Sequence, residues 1–187
     1  MVENAEALGF IIHPSPLSRP IELLAPARDA EVGREAILHG ADAVYIGGPS
    51  FGARAAAGNS VADIAALCAF AHIYDARVYV TLNTILYDGE VEEARALIQQ
   101  LYEAGVDALI TQDAALPELQ AEGRLAPIAL HASTQMDNRG VEDAQQRQAE
   151  GFTRVVLARE SSLERIREIH KALPTLNIEA FVHGALC

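Results

Sequence analysis

The sequence predicts an α/β fold, a (β/α)8 barrel of the TIM type that is truncated after its seventh strand. Short apolar segments alternate with helical segments at a nearly uniform period, which indicates a parallel sheet. The apolar segments are almost continuous, as strands covered on both faces require. No GxGxxG motif follows the first strand and no long crossover interrupts the series, so a barrel is favoured over an open doubly wound sheet.

The first strand and helix show how each element is recognised. An apolar run over 21–25 ends at Pro26, and Asp29 is placed as the N-cap of a helix that reaches Leu38. Gly40 follows as the stop, because glycine readily adopts the left-handed backbone that ends helices. The run, the cap and the stop together predict one strand, one loop and one helix.

The same unit then recurs along the chain. Gly105 and Gly151 take the place of Gly40 in the later junctions AGVDALITQ and EGFTRVVLA. The next strands are predicted over 42–47, 77–82, 107–112, 127–132, 154–159 and 177–182. The helices between them are predicted over 61–74, 90–103, 114–122, 141–150 and 163–173.

Length and composition indicate one globular domain or a large part of one. The chain has 187 residues, two cysteines and a formal net charge of -12. It contains no apolar stretch of membrane-spanning length and no signal peptide, so we expect a cytoplasmic protein without a membrane contact. The acidic balance argues against a stand-alone nucleic-acid binder, which usually carries a basic face. The acidic charge is compatible with an RNA substrate that another domain holds.

Two regions are predicted. Residues 1–20 contain three prolines and no helical period, and they are predicted to form an N-terminal extension. Residues 21–187 are predicted to form a partial barrel domain. Because a full barrel typically needs about 250 residues, we expect this sequence to be part of a longer protein whose C-terminal portion is missing here.

Candidate site residues follow from the fold, since barrel enzymes place their chemistry at the carboxyl ends of the strands. Arginines there suit a small anionic molecule with a carboxylate or a phosphate group. The alternative for any one arginine is a solvated surface side chain, and Asp29, Asn59 and Asp113 can equally be helix N-caps. The candidate catalytic residues are His131, Arg159, Glu160 and His183, and the candidate substrate-binding residues are Arg28, Arg54, Asn83 and Gln135.

Histidine and serine each leave an alternative open. His131 ends the fifth strand as a general base or, equally, as a structural side chain bonded to the backbone. Residues 48–52 match G-x-S-x-G, but the next helix starts too late for a strand-turn-helix elbow, which argues against Ser50 as a nucleophile. Cys68 lies among apolar helix residues and is expected to pack in the core. No HExxH, CxxC or P-loop motif is present.

Several segments carry a family resemblance. The stretches IELLAPARDA, HGADAVYIGG, VTLNTIL, LHASTQ and EAFVHGALC resemble the N-terminal half of family U32, the collagenase-like peptidases. Glu179, Phe181, Gly184 and Cys187 match the opening of the family signature, E-x-F-x-x-G-[SA]-[LM]-C. The resemblance is strongest to the branch that hydroxylates a cytidine of bacterial 23S ribosomal RNA.

This resemblance implies a catalytic barrel followed by further domains. It implies a [4Fe-4S] cluster held by four cysteines, of which Cys187 matches the first, so this chain alone is not expected to assemble the cluster. It also implies prephenate as a co-substrate and ribosomal RNA as a partner of the full-length protein. A peptidase, as the family's older name says, and a non-catalytic binding or scaffold module are the alternatives. The exposed edge of a truncated barrel predicts an oligomer.

Overall fold

The computed structural model describes residues 21–52 and 58–184, within which seven strands alternate with six α-helices. The strands are β1 (Leu24–Ala27), β2 (Ala43–Gly47), β3 (Arg77–Leu82), β4 (Ala108–Thr111), β5 (Ala129–Ala132), β6 (Arg154–Val156) and β7 (Asn177–Glu179). The helices are α1 (Ala30–Leu38), α2 (Val61–Ile73), α3 (Val91–Glu103), α4 (Ala115–Ala121), α5 (Val141–Glu150) and α6 (Leu163–Ala172).

The strands form one parallel sheet in sequence order, from β1 to β7, and the sheet curls into a half-barrel. Each strand pairs with the next one in the chain, as in a barrel, and no switch point interrupts the order. Register is continuous across the sheet: Tyr45 of β2 lies opposite Tyr79 of β3, and Tyr79 lies opposite Ala108 of β4. The predicted barrel, ending after its seventh strand, is therefore confirmed.

The two faces of the sheet differ in what they bury. Outward side chains such as Ile46, Val80 and Leu109 pack against helix residues such as Leu67 and form the main core. The inward face carries a smaller apolar cluster. That cluster consists of Ala43, Tyr79, Ala108 and Ile110. The inward face therefore leaves room for polar groups toward both ends of the half-barrel.

Helix ends follow the sequence with two exceptions, of which one is α4, where Ala114 and not Asp113 is the N-cap residue. Asp29 is the N-cap of α1, where its carboxylate accepts from the Val32 amide. Gly40 has a φ of 97°, as a left-handed helix stop requires. The expectation that Asn59 caps α2 is wrong, because Ser60 is the cap and shares a capping box with Asp63. Asn59 has another role at the strand ends.

Strand boundaries shift by a few residues from the prediction. β1 includes Pro26, which the sequence placed after the strand. A proline is tolerated there because, among the described strands, β1 pairs with β2 alone and lies at the edge of the sheet. The N-terminal extension predicted over 1–20 lies outside the described residues. No helix in the described ranges is both long and apolar enough to cross a bilayer.

Candidate functional site at the barrel mouth

A cavity of about 510 Å³ lies at the carboxyl ends of the strands, and we call it the mouth cavity. Its volume falls in the range of small-molecule sites, and its position is where barrel enzymes place their chemistry. Hydroxyl, amide, apolar and charged side chains share its lining. They include Tyr45, Thr81, Asn83, Ile110, Ser133, Gln135, Asp137, Arg139, Arg159, Glu160, Glu179 and Phe181.

A buried asparagine ties the ends of β5 and β6 together. The Asn138 amide donates to the carbonyl of Ser133 and to the carbonyl of Val156, both at 2.9 Å, and the side chain is fully buried. Its own backbone carbonyl accepts from the amide of Ala158 at 2.9 Å. These bonds fix the β5–α5 loop against the neighbouring strand end and so hold one wall of the mouth cavity.

Two further side-chain amides also donate to backbone carbonyls at strand ends. We call Asn59, Gln112 and Asn138 the amide clasps. Asn59 donates to the carbonyl of Arg28 at 3.0 Å and to that of Gly47 at 3.2 Å, joining β1 to β2. Gln112 donates to the carbonyl of Asn83 at 2.8 Å, joining β3 to β4. Since buried carbonyls need partners, the clasps satisfy the backbone where the strands end.

An ionic cluster fills the half-barrel on the amino-terminal side of the mouth cavity. Arg154 Nη1 lies 2.5 Å from Glu22 Oε1 and 3.6 Å from Glu179 Oε2. Glu22 Oε2 also accepts from the Tyr79 hydroxyl at 2.9 Å and lies 3.4 Å from Arg77 Nη1. One buried guanidinium is thus shared by two carboxyl groups, of which only Glu179 lines the mouth cavity.

The two carboxyl groups titrate differently. Burial alone would raise the pKa of Glu22, but hydrogen bonds from Arg154 and Tyr79 and the charges of Arg154 and Arg77 outweigh it and hold the pKa below its ordinary value. For Glu179, burial dominates and raises the pKa, because Arg154 compensates only in part. The protonated form of Glu179 is therefore favoured over a wider pH range than usual.

His131 lies in the same interior rather than on the mouth surface. Its ring meets that of Tyr79 edge to face at a centroid distance of 4.8 Å, and the side chain is buried. Burial, followed by the positive charges of Arg154 and Arg77, lowers the pKa of His131 to about 3. Its Nδ1 is buried without a hydrogen-bond partner among the described residues. At neutral pH the imidazole is therefore uncharged.

Apart from Glu179 of β7, the charged lining comes from the loops after β5 and β6. Arg139 Nε lies 2.7 Å from Asp137 Oδ1. The Arg159 guanidinium lies over the Phe181 ring at 4.5 Å from its centroid. Arg159 and Phe181 also line a smaller adjoining cavity of about 140 Å³, together with Val182, His183 and Gly184. The Arg159–Phe181 pair therefore stands between the two cavities.

The structure brings part of the predicted site together. Asn83, Gln135, Arg159 and Glu160 line the mouth cavity, and His183 lines the adjoining one. Two other predicted residues lie elsewhere. His131 is buried beside Tyr79, and Arg28 is an exposed side chain paired with Asp29 at 2.8 Å.

Two predicted site residues, Arg54 and Cys187, lie outside the described residues. Ser50 is half-buried and is not among the described residues that line either cavity. Cys68 is buried in α2 as expected, and burial raises the pKa of its thiol to about 12. In the described ranges, no group of three or more histidine, cysteine, aspartate or glutamate side chains is placed to hold a metal ion.

Sequence reasoning missed lining residues of two kinds. Tyr45 and Thr81 lie within strands, on the inward face, where a count of strand ends does not look. Arg139 and Glu179 carry charges that the sequence does not assign to any partner. Alternation along the strand predicted over 177–182 relates Glu179 to Phe181, but only the register with β6 shows that Glu179 faces the interior.

A half-barrel with its cavity at the carboxyl ends of the strands defines a TIM-barrel-like protein of the ligand-binding or enzymatic kind. The chain belongs to peptidase family U32, since the model of that family matches residues 28–187. The fold is also that of a solved U32 peptidase, with a TM-score of 0.67 and 11% identity over 90% of this chain and 72% of that one. At this identity, the structural likeness shows the fold alone.

Curated relatives carry two kinds of name. This chain is 59% identical to a 23S rRNA 5-hydroxycytidine synthase of Escherichia coli over 91% of its own length. It is 36% identical, over 91% of its length, to a tRNA hydroxylation protein of Bacillus subtilis, and 31% identical, over 89%, to a collagenase of Porphyromonas gingivalis. The matches cover 25%, 40% and 42% of those relatives. The chain thus spans a quarter to two fifths of their length.

Proposed function

We propose that this chain is the barrel portion of an RNA-hydroxylating enzyme whose substrate is a cytidine of 23S ribosomal RNA. The observation that carries the proposal is the 59% identity to the E. coli 5-hydroxycytidine synthase, which extends over 91% of this chain. The tRNA hydroxylation protein of B. subtilis supports the broader class, RNA hydroxylation. The enzyme acts in the cytoplasm, where ribosomal RNA is available to it.

The mouth cavity suits this chemistry in size and lining. An enzyme that modifies a base within RNA takes that base out of its stack and into a pocket, where hydrogen bonds and stacking hold it. The cavity of about 510 Å³ offers amide and hydroxyl groups from Asn83, Thr81 and Ser133 and an aromatic ring from Phe181. A base with its ribose fits such a volume and leaves room for a second small molecule.

The second small molecule in this proposal is the dicarboxylate prephenate. Arg139 and Arg159 both line the mouth cavity, and guanidinium groups bind carboxylates through paired hydrogen bonds. Arg28, which the sequence suggested for the same role, is an exposed side chain paired with Asp29. The proposed dicarboxylate site therefore lies at the loops after β5 and β6.

A [4Fe-4S] cluster is part of the proposal for the full-length protein only. Four thiolates normally hold such a cluster, and this sequence has two cysteines. Cys68 is buried in α2 with its thiol pKa raised to about 12, so it does not suit a thiolate ligand. The described residues do not fit the cluster, and a role for Cys187 requires partner cysteines from outside this sequence.

The peptidase alternative lacks a matching constellation in the described residues. A hydrolase needs a nucleophile with a base in hydrogen-bond reach. Ser50 is not among the described residues that line either cavity, and His131 is buried beside Tyr79 with its pKa lowered to about 3. The peptidase alternative is still worth a test, because the family description and one relative name a peptidase. If Ser50 is the nucleophile, Ser50→Ala should abolish peptide cleavage.

The test uses cells that lack the full-length protein. Their ribosomal RNA is compared by mass spectrometry after return of the wild type, of Cys187→Ala or of the matched control Cys68→Ala. We expect the target cytidine to gain one oxygen atom with the wild type and with Cys68→Ala, but not with Cys187→Ala, which should also lose its iron and sulfide. An unmodified cytidine with the wild type would overturn the proposed function; full modification with Cys187→Ala would overturn only the cluster assignment.

A further inference from the structure

β7 and the residues that follow it present two side chains to the mouth cavity. Glu179 is the last residue of the strand, and Phe181 lies two positions beyond its end. Both line the mouth cavity, and Phe181 keeps 39% of its surface exposed. An acidic group and an aromatic ring are thus held next to each other in the same cavity.

Phe181 is paired with an arginine. The Arg159 guanidinium lies over its ring at 4.5 Å from the centroid, which is a cation–π arrangement. A planar guanidinium and an aromatic ring are the two protein surfaces on which nucleic-acid bases stack. The Arg159–Phe181 pair therefore offers a platform for a flat ring at the edge of the cavity.

Glu179 contributes a polar group that the protein leaves incompletely bonded. Its Oε2 is shut off from solvent and has no hydrogen-bond partner among the described residues. The nearest cation, Arg154 Nη1, is 3.6 Å from this oxygen and donates instead to Glu22. Since the Glu179 side chain keeps 16% of its surface exposed and lines the mouth cavity, a ligand there can bond to the accessible part of its carboxyl group and offset part of the cost of burying that group.

We propose that Glu179, Phe181 and Arg159 form the subsite for a pyrimidine base, whose ring stacks on the Arg159–Phe181 pair while the Glu179 carboxyl donates a hydrogen bond to a ring acceptor. This inference rests on the proposed function and adds to it the residues that recognise the base. Glu179 and Phe181 both belong to the family signature, but the subsite is inferred from their positions around the cavity.

The protonation state of Glu179 sets the direction of that hydrogen bond. A protonated carboxyl donates one O–H, whereas a carboxylate only accepts. Burial raises the pKa of Glu179 although the charge of Arg154 opposes the shift. Cytosine offers its ring nitrogen N3 and its carbonyl oxygen as acceptors, so the protonated form is the one that binds. Affinity for the base should fall as pH rises through the raised pKa.

Other titratable groups surround the subsite. Around Arg154, His131 has its pKa lowered to about 3 and Tyr79 has its pKa raised to about 12, so both titrate outside the neutral range. Glu22 titrates below its ordinary value. The other charged groups that line the mouth cavity are Asp137, Arg139, Arg159 and Glu160. His183 lines the adjoining cavity, and the measurements are repeated with His183→Gln so that its side chain does not contribute to the pH dependence.

The experiment measures binding of the full-length protein to a 23S rRNA fragment that contains the target cytidine and to the same fragment with an abasic ribose in its place. The ratio of the two dissociation constants reports the base alone. For the wild type we expect a preference of about tenfold or more, since stacking and a hydrogen bond both contribute. Phe181→Leu and Glu179→Leu should each reduce it several-fold, while the exposed control Tyr102→Leu should leave it unchanged.

Glu179→Gln separates recognition from folding. Its amide keeps a donor but does not ionise, so we expect it to keep at every pH the preference that the wild type shows below the pKa of Glu179, which gives a flat pH profile with and without His183→Gln. Wild-type preference in both Glu179→Leu and Phe181→Leu, or an unaltered pH dependence in Glu179→Gln, would overturn the subsite. If the wild type hydroxylates its RNA while these results are negative, only the subsite fails; if the wild type does not hydroxylate, the proposed function fails first.

Discussion

Single residues inside the half-barrel show how charge is tolerated in a small core. Arg154 is largely buried, with 11% of its side chain exposed; it pairs with Glu22 at 2.5 Å and lies over the Tyr79 ring at 5.2 Å from the centroid. Buried ions are retained only when they are paired and hydrogen-bonded. Glu22 precedes β1 and Arg154 begins β6, so their contact spans most of the described chain and is invisible to any local pattern.

Replacing Glu22 tests this pairing. Glu22→Gln should destabilise the protein at neutral pH by about 1 to 2 kcal/mol, because removal of one charge leaves the part-buried Arg154 only partly compensated by Glu179. The pKa of Glu22 is held below its ordinary value of 4.5. The stabilisation that the Glu22 charge gives to the folded state is therefore complete above pH 4.5, and it disappears as the pH falls through the lowered pKa.

Urea denaturation at a series of pH values measures both effects. The stability difference between the wild type and Glu22→Gln should shrink as the solution becomes more acidic than the ordinary pKa of 4.5. Glu168→Gln is the matched control, since its pairing with Arg165 at 3.0 Å is exposed and should contribute less than about 0.5 kcal/mol. A pH-independent difference would show that Glu22 does not act through its charge.

His131 shows what sequence reasoning at this scale can and cannot give. Its place near the end of the fifth strand was predictable from the segment PIALHA. Its burial beside Tyr79 was not, because the side of the strand on which a residue lies depends on register with its neighbours. The lowered pKa follows from that burial and from Arg154, neither of which the local sequence contains.

At the scale of elements, the amide clasps explain how short strands end in an ordered mouth. β6 and β7 each have three residues in the strand conformation. Backbone hydrogen bonding between β5 and β6 stops where these short strands end. Beyond that point, the Asn138 side chain holds the two chain segments together with two hydrogen bonds. The sequence predicted which segments are strands, but it assigned Asn59 the role of a helix cap, which Ser60 has instead.

The Asn138 clasp is open to a direct stability test. Asn138→Ala should cost about 2 kcal/mol, because the Val156 carbonyl loses the Asn138 donor while the Ser133 carbonyl keeps the Met136 amide. Asn177→Ala, an exposed position on β7, should change the free energy of unfolding by less than about 0.5 kcal/mol. Denaturation by urea measures both variants. Equal stabilities of the two would mean that water replaces the amide without loss.

At the scale of the whole molecule, the repeating order of elements determines where the site lies. Alternation of apolar strands and helices was enough to predict a parallel barrel and its carboxyl-end mouth. The same alternation predicted a shared location for Asn83, Gln135, Arg159 and Glu160, which all line the mouth cavity. The inward residues Tyr45 and Glu179 needed the strand register, because a count of strand ends does not reveal which side chains face the interior.

The net charge of -12 also belongs to this scale. An acidic barrel repels phosphates on average, so RNA affinity has to come from local arginines or from other parts of the full-length protein. Arg139 and Arg159 are the arginines among the described residues that line the mouth cavity. The mouth is therefore the face of the barrel on which we expect the RNA to lie.

Photo-cross-linking tests this placement most directly. A 23S rRNA fragment with a photoreactive pyrimidine at the target position is irradiated on the full-length protein, and the modified peptides are identified by mass spectrometry. We expect cross-links within the mouth, in residues 133–139 and 179–184. Cross-links confined to the opposite end of the barrel, such as residues 103–107, would contradict the assignment of the mouth cavity as the site that receives the base.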